Sequence, residues 1–160
     1  MKKLAILITG FIVFLDQYTK YLIKKHMLLH EVKEIIPNFL NLTYIENPAA
    51  AFGLLKSVDP FIRNFILFVV FSIAFLILII AIFCSSKFDL TFLSLNFILG
   101  GAIGNAIDRI RFGKVIDFLD IYHKNFHWPA FNVADIFISL GIILIILHQI
   151  IKYAKSSKTL

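Results

Sequence analysis

A chain of 160 residues that is 59% hydrophobic and only 16% charged departs from soluble domains, which hold about 45–50% apolar and about 25% charged residues. The excess lies in long uninterrupted runs, so composition excludes an ordinary soluble domain and predicts an integral membrane α-helical protein. The formal charge of +6 does not indicate nucleic acid, because the lysines flank the apolar runs as anchors beside anionic lipid, and the single cysteine, Cys84, excludes a disulfide framework or a CxxC redox or metal pair.

In chain order, Met1-Lys2-Lys3 and the uncharged residues 4–15 have the start of a signal peptide. No small-x-small cleavage site follows, however, and the helical pattern continues through Asp16-Gln17-Tyr18-Thr19-Lys20 to Ile23. Residues 4–23 are long enough to span the hydrocarbon core. Eleven of them are Leu, Ile, Val or Phe, each favouring insertion by about 0.3–0.6 kcal/mol, against about 2.5–3.5 kcal/mol for a central Asp or Lys. Asp16 and Lys20 are therefore expected toward the far end of the span, paired on one helical face by their i,i+4 spacing. Residues 24–60 form a long loop in which 38–45, bracketed by Pro37 and Pro48, are rich in strand formers, so a short amphipathic sheet at the membrane surface is expected. A small-residue turn, Asn47-Pro48-Ala49-Ala50-Ala51-Phe52-Gly53, follows.

Residues 65–83, with only Ser72 polar, make a second span, and 85–89 a tight turn. Residues 90–107 make a third span of about 27 Å, in which Gly100 and Gly104 are spaced to admit another helix closely. Residues 133–151 make a fourth, before the polar tail 152–160. No repeat or low-complexity linker interrupts the chain. The expected architecture is one membrane domain over 1–160, with four transmembrane helices and a small β-strand-containing surface region outside the membrane. Four spans put both termini on one side and gather Asp16, Lys20, Asn105, Asp108, Arg109 and Asp135 at the other. Lysines and arginines lie on both sides, so charge alone does not orient the protein.

Asp117 sits in the apolar stretch Val115-Ile116-Asp117-Phe118-Leu119, and Asp135 about one turn into the fourth helix. A separation of eighteen positions, through loop and turn, can bring the two carboxylates together. Two carboxylates at a partly desolvated site do not both ionise easily; one keeps a proton while the other acts as base on a water. The alternative is that each aspartate merely caps an element, but Asn105, Asp108, Arg109 and Asn132 are more polar groups than caps require. The pairs His26/His30 and His123/His127 lack an HExxH context and an assisting cysteine, so no metal site is expected. GxSxG and phosphate-loop motifs are missing, which disfavours serine hydrolase and nucleotide chemistry.

These residues resemble a known family, the bacterial lipoprotein signal peptidases (signal peptidase II). The matching blocks are Asp16 to Lys20, Asn47-Pro48-Ala49-Ala50-Ala51-Phe52, Gly100 to Arg109, Val115-Ile116-Asp117-Phe118 and Pro129-Ala130-Phe131-Asn132-Val133-Ala134-Asp135, in the family's order and over nearly the whole chain. Ala49 departs from the pattern, standing where the family usually has glycine. The resemblance implies a four-helix inner-membrane aspartic endopeptidase, without cofactor, whose site faces the periplasmic side. It would cut diacylglyceryl-modified prolipoproteins just before the lipidated cysteine and be blocked by globomycin-type inhibitors. It implies Asp117 and Asp135 as the catalytic pair, with Asn47, Asn105, Arg109 and Asn132 holding substrate and ordering the site. Asp16, Lys20 and Asp108 would support them, and Gly101 and Gly104 would allow close helix packing. A small ion-coupled transporter is the rival reading, but that would want carboxylates near mid-membrane and usually an inverted repeat. A purely structural membrane subunit is the other, and it has little use for these polar groups.

Overall fold

The computed structural model describes residues 1–48, 58–85 and 87–156. Ala49 and the rest of the turn through Gly53 lie outside the described residues. Four helices are present: α1 (Lys2–His26), α2 (Pro60–Cys84), α3 (Leu90–Phe112) and α4 (Val133–Ser156). Among the described residues, α1, α3 and Val133–Lys155 of α4 are long and apolar enough to cross a membrane, and the shorter stretch Phe68–Cys84 of α2 is also apolar.

Local chemistry sets the helix ends. Asp59 accepts hydrogen bonds from the N–H groups of Phe61 and Ile62, so α2 starts five residues before the apolar run expected at 65. Asp89 caps α3 through Phe92 N–H at 2.8 Å. At its other end, α3 runs past the expected boundary at 107 to Phe112, because Asn105, Asp108 and Arg109 end the hydrophobicity without ending the helix. Gly113 stops it, at φ 69° in the left-handed region, with its N–H on the Arg109 carbonyl.

Helix α3 packs against each of the other three helices, and small residues make that possible. A Cβ at Gly101 would stand 2.4 Å from the Ala134 carbonyl oxygen of α4, and one at Gly104 would stand 2.5 Å from an Asp16 carboxylate oxygen of α1. The expected role of the glycines at 100 and 104 extends to Gly101, where backbone meets backbone. The burial pattern is inverted relative to a soluble protein. Asp16, Lys20, Ser94, Asn96, Asn105, Asp108 and Asn132 are buried, whereas Ile6, Phe11, Phe68 and Ile146 are exposed. Outward aliphatic and aromatic side chains around an inward polar set are what a lipid-facing surface requires.

The remaining elements form one antiparallel four-stranded sheet in the order β1 (Val32–Ile36), β2 (Leu40–Asn47), β3 (Val115–His123), β4 (Phe126–His127). The strand expected over 38–45 is β2. The segment around Asp117 read as loop is instead the nine-residue β3, whose β-branched and aromatic run of Val, Ile, Phe, Leu and Tyr suits a pleated surface. Ile23, Met27, Tyr44, Ile116 and Phe118, with Leu42, Leu119 and Val133, form a core that fixes the sheet on the end of α1 and the start of α4.

Candidate active site

Two local features bring Asp117 and Asp135 together. The first is an irregularity in β2. Leu42 faces Leu119 and Ile45 faces Asp117, so β2 has one more residue than β3 over this stretch, a bulge that re-aims the side chains beyond it. Past the bulge Asn47 opposes Val115, and its amide reaches the diagonal neighbour on the same face, donating to Asp117 Oδ2 at 3.0 Å.

The second feature is the return of the chain after β4. Phe131 accepts from the N–H groups of Phe118 and Leu119 and donates to the Leu119 carbonyl at 3.0 Å, which clamps the segment before α4 against β3. Asn132 then opens the helix. Its Oδ1 accepts from Asp135 N–H at 3.0 Å, while Asp135 Oδ2 accepts from Asn132 N–H at 3.1 Å. This reciprocal capping box closes the first turn of α4. Asp135 therefore does cap the helix, but its second oxygen accepts from Asn105 Nδ2 at 2.8 Å, so capping is not its whole role.

Asn132 is fully buried and links the two carboxyls: its Nδ2 lies 2.8 Å from Asp117 Oδ1, 3.1 Å from Asn105 Oδ1 and 3.2 Å from the Ile116 carbonyl. Asp117 is itself only 3% exposed. Burial pushes its carboxyl up to about 6, the hydrogen bonds from Asn47 and Asn132 and the Lys20 charge oppose the rise, and the nearby Asp135 charge adds to it.

Beneath the pair lies a buried ionic cluster. Lys20 Nζ is 2.9 Å from Asp16 Oδ2 and 2.8 Å from Asp108 Oδ2, the former being the i,i+4 pair expected on α1. Asp108 Oδ2 also accepts from the backbone N–H of Ile116 in β3, and Asp16 Oδ1 from that of Ala134 in α4. Three sequence-distant elements are thus tied to α1. Gln17, which carries no role in the sequence-based expectation, donates through its amide nitrogen Nε2 to Asp16, to the Gly104 carbonyl and to Asp108 at 3.1–3.2 Å. Its position within the Asp16 to Lys20 block was the available sign. Arg109 reaches back to the Asn105 carbonyl at 3.3 Å and lies over the Phe71 ring, 4.9 Å from its centroid.

Asn47, Asn105, Arg109, Asp117 and Asp135 all line one cavity of about 890 Å³. Its upper wall is the sheet, with Tyr122, Phe126 and Trp128; its lower wall is α4, through Ile136, Leu140 and Ile143. Leu140 and Ile143 also belong to the exposed face of α4, so the polar pair opens onto the same apolar surface that faces outward. Of the histidines at i,i+4 spacing, His127 meets an acidic partner, Asp120 on β3 at 2.9 Å, and stacks on Tyr122. The arrangement offers two linked carboxyls, fixed by amides, beside space for an extended chain and a water.

The model of the family described as signal peptidase (SPase) II matches residues 8–151. The chain is 41% identical to the lipoprotein signal peptidase of Syntrophus aciditrophicus (strain SB), covering 98% of this chain and all of that one. It is 46% identical to the lipoprotein signal peptidase of Maridesulfovibrio salexigens, covering 86% and 89% of the two chains. A solved structure described as a bacterial membrane enzyme superposes with a TM-score of 0.84 at 31% identity, over 96% of this chain and 91% of that one. The chain belongs to the signal peptidase II family of membrane peptidases.

Proposed function

We propose that this chain is an aspartic endopeptidase that removes the signal peptide from diacylglyceryl-modified prolipoproteins, cutting just before the lipidated cysteine. The observation that carries the reading is the meeting of Asp117 from β3 with Asp135 from α4 in one cavity, joined through Asn132. One carboxyl holds a proton and the other is ionised. The ionised one takes a proton from a water as that water attacks the scissile carbonyl, and the protonated one supports the developing oxyanion. Collapse of the tetrahedral intermediate breaks the C–N bond, and a proton passes to the amine of the lipidated cysteine. Asn47, Asn105, Arg109 and Asn132 hold the substrate backbone and order the site; the amides that face the carboxylates do the ordering. Asp16, Lys20 and Asp108 support the pair, and Gly101 and Gly104 let the helices close around it.

A lipid-borne substrate suits a cavity that is continuous with the outward apolar face of α4. Its acyl chains stay in the bilayer while the scissile bond lies at about headgroup depth. In this reading the whole chain is one membrane domain, with α2 as a fourth span, in the bacterial inner membrane, and the site faces the periplasm. Globomycin-type inhibitors would occupy the same cavity. No cofactor takes part.

The test is a gel-shift cleavage assay on a diacylglyceryl-modified prolipoprotein, comparing wild type with Asp117→Asn and Asp135→Asn, each shown to be folded in detergent. Cleavage by wild type and its loss in both variants is the expected result. Near-normal activity in either variant refutes the pair. The wild-type pH–rate profile is expected to be bell-shaped, its limbs belonging to the pair as a whole.

A further inference from the structure

We propose that Lys20 of α1 is a positioning residue for the reaction: it sets the geometry and charge preference of Asp135 through the side-chain amide of Asn105, without touching Asp135 itself. This inference rests on the peptidase reading above. The chemistry of the three groups makes the arrangement one-directional. An ammonium only donates hydrogen bonds and an ionised carboxylate only accepts them. Asn105 stands between the two, with Oδ1 3.0 Å from Lys20 Nζ and Nδ2 2.8 Å from Asp135 Oδ1. Turning the amide over would set oxygen against carboxylate and NH2 against ammonium, so the cation fixes which end of Asn105 meets Asp135.

Lys20 is itself held. Its three N–H bonds have three acceptors, Asp16 Oδ2, Asp108 Oδ2 and Asn105 Oδ1, all within 3.0 Å, and the side chain is 2% exposed. Asn132 Nδ2 adds a second donor to Asn105 Oδ1 at 3.1 Å, which polarises the amide further toward Asp135. The turn that carries Asp135 is anchored to the same cluster, because Asp16 Oδ1 accepts from Ala134 N–H at 2.9 Å. The charged groups around Asp135 are Asp16 and Lys20 from α1, Asp108 and Arg109 from α3, and Asp117 from β3. Lys20 reaches an Asp135 oxygen through the single side-chain amide of Asn105. Asp117, by contrast, accepts from the neutral amides of Asn47 and Asn132. The relay therefore makes Asp135 the member that carries the negative charge when the pair holds one proton.

The test measures kcat, KM and the pH–rate profile on a diacylglyceryl-modified prolipoprotein for wild type, Lys20→Met, Asn105→Ala and the double variant, all purified in detergent. Lys20→Met is expected to lose about a hundredfold in kcat, since small misplacements of a catalytic group have this effect. KM should change little, and the acidic limb of the profile should move up by about one pH unit, the direction expected when a nearby cation is removed. A change in the folded fraction would lower the rate without moving the limb. Asn105→Ala leaves the Lys20 bridges to Asp16 and Asp108 in place, so it should fold and shift the limb in the same direction. The double variant should shift no further than either single change. An unmoved limb in Asn105→Ala overturns the proposal even if Lys20→Met does not fold, and additive shifts overturn it as well. Wild type that fails to cleave the substrate overturns the peptidase reading and this inference together, whereas cleaving wild type with unmoved variants overturns only the inference.

Discussion

The raised pKa of Asp117 makes a thermodynamic prediction that does not depend on substrate. A carboxyl lifted from 3.8 to about 6 on folding binds its proton more tightly in the folded state. Its contribution to stability is therefore fully present below the unfolded value and is lost as pH rises through the folded one. The span corresponds to about 3 kcal/mol, an upper figure because the neighbouring groups relax. Asp117→Asn removes the titration. Other titrating groups, such as Glu46, which its contact with Lys114 holds below the usual carboxylate range, remain in both proteins and cancel in the difference. Thermal unfolding in detergent, followed by the fluorescence of the single tryptophan, Trp128, reads the result directly. From about pH 4 to about pH 7 the wild type should lose stability relative to Asp117→Asn by up to about 3 kcal/mol, or roughly 6–12 °C in Tm for a chain of this size. A pH-independent offset is added to this change, because the new amide must turn its NH2 toward a donor, Asn47 or Asn132. A pH-independent difference would refute the claim that this carboxyl is desolvated by folding.

Substitutions at four other positions follow from the geometry. Asn47→Ala deletes the donor to Asp117 Oδ2, so the pH–rate profile should move to higher pH by about half to one unit, measured on the lipidated substrate. Asp135→Asn should abolish cleavage and cost about 1–3 kcal/mol, because its amide oxygen can still accept from Asn132 N–H but its NH2 then faces the Asn105 Nδ2 donor; Asp135→Ala should cost about 1 kcal/mol by breaking the cap, and unfolding of the two variants measures both. Gly101→Ala drives a methyl into the Ala134 carbonyl and Ile138, and should destabilise by about 1–3 kcal/mol and reduce kcat by displacing the turn that bears Asp135. Gly113→Ala meets open space but a φ of 69°, so it should cost about 1 kcal/mol of stability with cleavage retained.

The helices were legible because long apolar runs have few other uses, and the Asp16–Lys20 pair because helical spacing alone puts the two on one face. The end of α3 was misplaced since hydropathy fades at Asn105 while hydrogen bonding does not; Gly113 was the better stop sign. The strand β1 is short and wholly exposed, so no burial pattern marks Val32-Lys33-Glu34-Ile35-Ile36, and only its pairing with β2 makes it a strand. Strand β3 was hidden differently. Val115-Ile116-Asp117-Phe118 is buried on both faces, which removes the alternation that usually announces a half-buried strand. The candidate residues could be chosen from the sequence, but their joints could not. That Asp16 caps α4 across 118 positions, or that a bulge in β2 turns Asn47 toward Asp117, depends on tertiary register.

Electrostatics gives a separate reason for the pair to keep a proton. Asp16, Asp108, Asp117 and Asp135 share a region with two cations, Lys20 and Arg109, and Arg109 lies within electrostatic reach of the last three carboxyls. Full ionisation would leave two uncompensated negative charges among groups that are mostly buried, which is expensive in a low-dielectric setting. Asp16 and Asp108 are each in direct contact with the Lys20 ammonium, and each accepts a backbone N–H as well. Asp117 and Asp135 accept from amides instead, and burial raises the Asp117 carboxyl, so on the proposed reading the cavity side of the cluster holds a proton. The buried cluster under the site thus does more than hold α1, α3 and α4 together. Its ammonium neutralises carboxylates that lie outside the cavity, and on the proposed reading a proton shared by Asp117 and Asp135 offsets the charge that remains.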